Sequence, residues 1–379
     1  MLIKTLNKTI LVKFLDQILH LDKLQMNNFE TWGKENFLKD IPLKYKFSCL
    51  ALDRDKVLGF SIVSKKGRSG HLHRIVVDPS SENKGVGSKM LQFIKLKAQD
   101  NNLTSIVAET LKKPSLVRFY TKNFFRRISD QGLRLFSMNK PDKIRQLFLD
   151  TYTVFVLPLK GFTVSIHQPY FLPWLGFFDK MRQSDLFVIL DDAQFEKNSF
   201  INRNQIKVNG DKKWLTIPTK GHLKDKIKDV QIDETQNWRQ KHLKSLQYNY
   251  SKTANFDRLY GKIKKIYEQK NTNLCQFNLS LMCLMAEELK VQVPMELSSS
   301  LGLKSEHSQK LLDINKNFQA DVYLSGVMGK TYLDQEIFKK AGIKIKFQSF
   351  KPPKYRQPGD NFIDNLSAID YLFRANSDK

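Results

Sequence analysis

Cysteine is scarce in this chain of 379 residues: Cys49, Cys275 and Cys283 are the whole complement, with no CxxC pair among them. So small and odd a count excludes a disulfide framework, and without paired ligands at short spacing no metal site is assigned. It fits a reducing compartment. Long apolar runs are missing as well. The opening stretch MLIKTLNKTILVKFLDQILHLDKL has apolar residues at helical spacing, but charges interrupt it. It reads neither as a signal peptide nor as a spanning helix, so the expectation is a cytoplasmic protein with no membrane insertion. There is no internal repeat, no low-complexity tract and no run of five or more like charges.

What the chain has in abundance is positive charge: 63 Lys and Arg against 38 Asp and Glu, a formal net charge of +25. Expected partners are anionic, such as nucleotides, coenzymes, nucleic acid or an acidic surface. The basic residues are scattered, often beside aromatics. That pattern favours anionic small-molecule sites over a dedicated nucleic-acid groove. Neither an RNP-type aromatic strand nor zinc-finger spacing occurs, so no nucleic-acid partner is assigned. The length suits two domains better than one core.

Periodicity gives the organisation. An amphipathic helix is expected over Val12–Met26 and strands over 46–52, 56–63 and 71–77. A helix follows over 86–100, with Met90, Leu91, Ile94 and Leu96 on its apolar face. Then come a strand over 105–111, a short helix over 114–123 opened by Pro114, and a strand over 151–159. A new pattern begins at Gly161: strand 162–168, helix 173–184, strands 186–192 and 213–219, and helices over 238–251, 254–270 and 272–290. The chain closes with helix HSQKLLDINKNF, strand DVYLSG, helix KTYLDQEIFKKAG and strand KIKFQSF. The expected class is α/β: an α+β mixed-sheet domain over 1–160, then an α/β domain with a helical insertion over 161–379. The junction VLPLKGFTV is short and apolar on both sides, as expected of two domains packed together.

The stretch DPSSENKGVGSKML lies between a strand and a helix. A glycine-bearing turn at a helix start aims several backbone N–H groups at one point, and the helix dipole adds positive potential. Gly85 and Gly87 let the main chain approach an anion closely, and Lys84 and Lys89 add charge. The bland reading is an ordinary turn between strand and helix. The stretch IVVDPSSENKGVGSKML, followed by strand 105–111 and LVRFYTKNFF, resembles the GCN5-related N-acetyltransferase (GNAT) family. The resemblance implies that acetyl-CoA, or another acyl-CoA, is the cofactor. Asn83, Lys84, Gly85, Val86, Gly87 and Ser88 would line its pyrophosphate, and Val76 and Val77 would offer backbone groups to its arm. Tyr120 matches the family tyrosine that protonates the departing thiolate, a task that suits a phenol. Its alternative is a ring packed in the core. Glu82 stands where Arg or Gln is usual, and turned inward it would repel a phosphate. Lys113, Leu116 and Phe124 also depart from the family pattern. Acylation of an amine needs a base. His73 is the first candidate and His71 shares its face of the strand; Glu109 on the neighbouring strand is the third.

The second half is dense in polar and aromatic residues at strand ends and in loops, where parallel sheets form ligand sites. Asp191 and Asp192 suit either a metal or acid–base role, or the capping of the turn that follows. HQPYFLPWLGFFD, LDDAQFEKNSFINRNQIK, KWLTIP, WRQKHLKSL, DVYLSGVMGKTYLD and LSAIDYLF resemble, in order, the WbqC-like protein family. That resemblance implies a context in bacterial surface-polysaccharide assembly, near enzymes of nucleotide-linked amino sugars, and leaves the reaction open. The expected pocket is His167, Gln168, Asp191, Asp192, Asn204, Ser325, Tyr332 and Gln357. The expected function is acyl transfer from CoA to the amine of a small-molecule nucleotide amino sugar, with the second domain binding or modifying the same sugar. The alternatives are a silent first domain beside a sugar-nucleotide-binding module, and, on charge alone, a nucleic-acid-binding protein.

Overall fold

Side-chain alternation along short strands sets the layers of the first half. The computed structural model describes residues 1–25, 31–137, 142–220, 224–269, 271–359 and 361–375. Met26 and Lys270, at the ends of two expected helices, lie outside them. The chain divides into two units. The first takes in Met1–Ile128, Asp150–Phe162 and Phe318–Asp321; the second takes in Ser129–Leu149, Thr163–Asn317 and Val322–Lys379.

In the first unit, strands β1 (Leu2–Thr5), β2 (Cys49–Asp53), β3 (Lys56–Lys66), β4 (Ser69–Val77), β5 (Ser105–Leu111), β6 (Arg126–Arg127) and β7 (Tyr152–Pro158) form one mixed sheet in the order β1-β2-β3-β4-β5-β7-β6. Leu50, Leu52, Val57, Phe60, Ile62 and Val76 pack one face against Leu11, Leu15, Ile18 and Phe37. Cys49 and Ala51, alternate with the leucines, meet Val86 and Met90 on the other, as a period of two requires. The helix Val86–Asp100 is where its periodicity predicts. It buries Met90, Leu91, Ile94 and Ala98, while Leu96, expected on the apolar face, is exposed. The expected Val12–Met26 helix is two helices, Lys8–Lys13 and Leu15–Gln25.

All neighbours in this sheet run antiparallel except β4 and β5, which are parallel and joined through the Val86–Asp100 crossover. Their register runs from Ser69↔Ser105 to Leu72↔Ala108. Beyond it β4 continues along β3 to Gly59↔Val77, and β5 continues along β7 to Leu111↔Tyr152. The sheet therefore parts at its centre. The register between β3 and β4 also shifts there: Ile62 faces Arg74, Val63 faces Leu72, and His73 is the extra residue. Such a bulge bends its strand and re-aims side chains.

The second unit is built on five parallel strands, β8 (Thr163–His167), β9 (Leu186–Ile189), β12 (Met295–Leu297), β13 (Val322–Ser325) and β14 (Lys344–Phe347), in the order β12-β9-β8-β13-β14. β9 is buried throughout, as expected of a strand covered on both faces. Strands β10 (Arg203–Val208) and β11 (Asp211–Thr216) form a separate hairpin. Helices Trp238–Tyr250, Phe256–Glu268 and Leu274–Glu288 make the expected helical insertion. The expected KTYLDQEIFKKAG helix is broken into Gly329–Tyr332 and Gln335–Lys340, because Asp334 caps the second piece by accepting the Glu336 N–H.

Gly59 sits where β3 approaches β4 most closely. A β-carbon there would lie 2.7 Å from the Val76 carbonyl oxygen and 3.0 Å from Met90 Cε. Gly59→Ala is expected to lower stability by about 1–3 kcal/mol, read as an earlier denaturation midpoint. An unchanged midpoint would mean that the ladder yields at this position.

Candidate functional site

The parting of β4 from β5 opens a cleft of about 700 Å³ in the first unit. Leu72–Val77 form one wall, Glu109–Leu111 face it from β5, and Asn83, Gly85, Val86, Gly87 and Ser88 close the end where the Val86–Asp100 helix begins. Lys113, Arg118, Phe119 and Lys122 border it from the helix Pro114–Lys122. Gly85, the residue before that first helix, has φ +78°, and Asn83 has φ +59°. These left-handed positions turn the chain so that the first amides of the helix, which no preceding turn can satisfy, face the cleft. Gly87 has no room for a side chain, since a β-carbon would meet the Phe119 ring at 3.0 Å. Lys84 is exposed and does not line the cleft.

Glu82 lines the cleft next to Asn83 and Gly85, but its carboxylate is held by a partner. Its Oε1 accepts from Gln25 Nε2 at 2.7 Å, and the same amide donates to the Val77 carbonyl at 3.1 Å. Gln25 thus ties the acidic turn to the end of β4, and it also occupies the Val77 carbonyl that had been assigned to a coenzyme arm. Nothing in the local sequence signals this, because 57 residues separate the partners.

Tyr120 is buried, stacked on Phe155 with ring centres 5.1 Å apart and edge-on to Phe119 and Phe125. Burial pushes its phenol up, against a hydrogen bond with Thr110. It therefore keeps its proton at neutral pH while still lining the cleft. The core and catalytic readings of this residue are compatible.

His73 lines the cleft, with Nε2 2.8 Å from Ser64 Oγ. His71 stands behind it, the two rings 5.1 Å apart, and its Nε2 is 3.8 Å from Glu109 Oε1. Burial pushes His71 down to about 4, and His73 is lowered too, by burial and then by Lys66 and Arg74. Both shifts favour the neutral rings. On the same strand Arg74 lies over the Trp32 ring at 4.6 Å and beside the buried Asp22 at 3.2 Å.

The expected pocket of the second unit is only partly assembled. His167 ends β8, wedged edge-on between Tyr170 and Phe177, with Nδ1 3.0 Å from the Gln168 carbonyl. Ser325 ends β13, and Tyr332 ends the short helix Gly329–Tyr332 that follows, 62% exposed. Tyr332 raises the phenol of Tyr170, after burial the strongest influence on it. The other residues are engaged elsewhere. Asp191 accepts from Ser298 Oγ, the Ser299 N–H and Ser299 Oγ; Asp192 accepts from Ser298 Oγ and from Lys310 Nζ at 2.5 Å. The carboxylates clasp the Ser298–Leu301 turn beside their own strand, so neither capping of the following turn nor a metal role describes them. Asn204 donates to the Phe171 and Leu172 carbonyls and accepts the Gln205 N–H. Gln357 is closed on the backbone of Ile363 through both ends of its amide. Asn204 and Gln357 are struts that hold loops, not pocket donors.

Two family matches cover most of the chain. Residues 168–379 match the WbqC-like protein family, and residues 45–127 match the acetyltransferase (GNAT) domain. The two resemblances read from the sequence are both present, in the expected order. The uncharacterized protein Rv1507c of Mycobacterium tuberculosis is 30% identical over 219 residues, spanning 57% of this chain and 94% of that protein. Among solved structures, the ribosomal-protein-S18-alanine N-acetyltransferase of Escherichia coli is 16% identical, with a TM-score of 0.32, over 41% of this chain and 92% of that one. A GNAT-family acetyltransferase of Staphylococcus aureus is 19% identical, with a TM-score of 0.33, over 42% of this chain and 99% of that one.

Three histidines, His242 buried and His71 and His167 partly so, make stability depend on pH. Burial lowers His71 to about 4, His167 to about 3 and His242 to about 4, against about 6.5 in an unfolded chain. Between those values the unfolded state binds the extra protons. Stability is therefore complete above about pH 6.5 and lost as pH falls toward 4. The melting temperature is expected to drop between pH 7 and pH 5, less so in His242→Gln. A flat profile would show that these rings remain solvated.

Proposed function

The chain belongs to the WbqC-like protein family, and we propose that the GNAT domain ahead of the family region is an acyl-CoA-dependent N-acyltransferase. Its acceptor would be the primary amine of a small molecule, a nucleotide-linked amino sugar in the context of surface-polysaccharide assembly, held or further modified by the WbqC-like region.

The observation that carries this reading is the cleft itself. It opens between β4 and β5 and ends at the start of a 15-residue helix. A narrow slot between parting strands suits an extended pantetheine arm. The amides of Val86, Gly87 and Ser88, with the helix dipole behind them, suit a pyrophosphate. Lys113, Arg118 and Lys122 add cations at the cleft border. Gln25 removes the main objection by holding the Glu82 carboxylate at a fixed partner.

In the reaction, a neutral amine attacks the thioester carbonyl. The C–N bond forms and the C–S bond breaks. A proton passes from the nitrogen to the base, and the sulfur receives one from the acid. His73, neutral and in the cleft, is the base of choice; His71 and Glu109 are the other candidates. Tyr120 is the acid, its proton secured by burial. Both groups begin in the protonation state the chemistry requires.

Mass spectrometry of nucleotide amino sugars incubated with the protein and acetyl-CoA is expected to show a product heavier by one acetyl group. Tyr120→Phe, which keeps the stack on Phe155, should lower kcat on the order of 10²-fold while leaving CoA affinity unchanged. An unaltered kcat would remove Tyr120 from the chemistry, and the absence of any acetylated amine across the panel would remove the acceptor class.

The tie between Gln25 and Glu82 has its own test. Gln25→Ala frees a carboxylate beside the anion end and is expected to weaken CoA binding about fivefold, the size of an exposed charge interaction of about 1 kcal/mol. Glu82→Gln in the same chain should restore it. Equal affinities in all three proteins, by calorimetry, would show that this side chain does not touch the coenzyme's field.

A further inference from the structure

Numbered along the chain, the five parallel strands of the second unit lie in the order 3-2-1-4-5. From β8 the chain builds outward through β9 and β12, then returns to build the other way through β13 and β14. In an open parallel sheet, the crevice beyond the carboxyl ends of the strands where the direction reverses is the ligand position. Here that place is the end of β8, at His167, beside the end of β13, at Ser325.

The loops at that end carry an aromatic shelf. The His167 and Tyr170 rings lie 4.5 Å apart, Tyr170 and Phe200 5.7 Å, and Phe200 and Trp214 6.0 Å. Tyr332 ends the short helix Gly329–Tyr332 that follows β13. The outer end of this row stays exposed: Phe200 is 45% exposed and Trp214 39%, while Tyr170 packs against the core. Large half-exposed rings grouped in one place mark a binding surface.

The shelf is rigid. Asn278 donates to the Pro169 and Ile201 carbonyls from beneath, Asn204 to those of Phe171 and Leu172, and the Phe171 N–H bonds the Phe200 carbonyl. A cation borders it. The Arg203 guanidinium lies 4.3 Å over the Trp214 ring, and its Nε is buried without a hydrogen-bond partner. The turn after β8, Gln168-Pro169, has none of the glycines with which dinucleotide folds grip a pyrophosphate through backbone amides. Affinity here has to come from ring stacking and side-chain charge.

We propose that this end of the parallel sheet is a nucleotide site, with a base stacked on the Tyr170–Phe200–Trp214 shelf and phosphate facing Arg203. The site deepens the proposed function by locating the nucleotide part of the acceptor, and it rests on that reading for its physiological ligand only.

The test is calorimetry on the full chain with UDP, dTDP, GDP and CDP, and separately with uridine and with free N-acetylglucosamine, all without acyl donor. At least one diphosphate is expected to bind with a Kd of about 1 mM or tighter. Phe200→Ala and Trp214→Ala should each weaken it at least about fivefold, and Trp214→Phe, which keeps a ring, about twofold or less. Arg203→Gln should weaken the diphosphate and leave the nucleoside unchanged. Binding by none of the four diphosphates, binding by the free sugar alone, or affinities indifferent to the loss of the rings would each overturn the site. Because no acyl donor is present, a failed transfer assay leaves these titrations intact, and their failure leaves the transferase reading intact.

Discussion

The central constraint in the first unit is the place where β4 stops pairing with β5. Both strands are long enough to continue together, yet their ladder ends at Leu72↔Ala108. Each strand then stays with its other neighbour. Two parallel strands joined through a helix can part in this way because an antiparallel partner on each outer side still satisfies one edge of the backbone. The bulge at His73 falls one residue past the last pair and bends β4 outward. The cleft, the approach of the helix start to its far end, and the position of His73 on its wall all follow from that parting. The ladder with β3, which runs on to Gly59↔Val77, keeps β4 paired while it leaves β5.

Long periodic elements were legible in the sequence. The helix Val86–Asp100 and the strand Ser105–Leu111 have the limits that their apolar spacing predicts. Short elements held by distant partners were not. β1 exists through pairing with β2, far along the chain, and β12 is three residues long. The hairpin of β10 and β11 did carry a local signal that went unread. Asn209 and Gly210 both have positive φ, the conformation a two-residue hairpin turn demands and an Asn-Gly pair supplies.

The candidate sites divide along the same line. The glycine turn was legible because the need for left-handed backbone and a missing side chain is local. In the second unit, residues were chosen by chemical type, and type alone misleads. Asp191, Asp192, Asn204 and Gln357 are polar groups near strand ends, but each is engaged by backbone or side-chain partners that fix a loop. A buried polar group without such partners would cost free energy, so most are occupied by structure before any ligand arrives. The residues left over are rings that folding leaves partly in water, and Phe200 and Trp214 carry no sequence mark that separates them from core aromatics.

Glu82 shows the same principle in reverse. A carboxylate beside a set of helix-start amides would normally compete for them, since anions favour that position. What prevents this is the reach of one amide from the end of the helix Leu15–Gln25. Gln25 donates to Glu82 and to Val77 at once, so the group that restrains the carboxylate also anchors the end of β4. An arginine or glutamine at position 82 would need no such restraint. The pairing of a glutamine on one element with an acid on another therefore replaces a simple local rule with a distant one, and only the folded chain reveals that the acid need not silence the site.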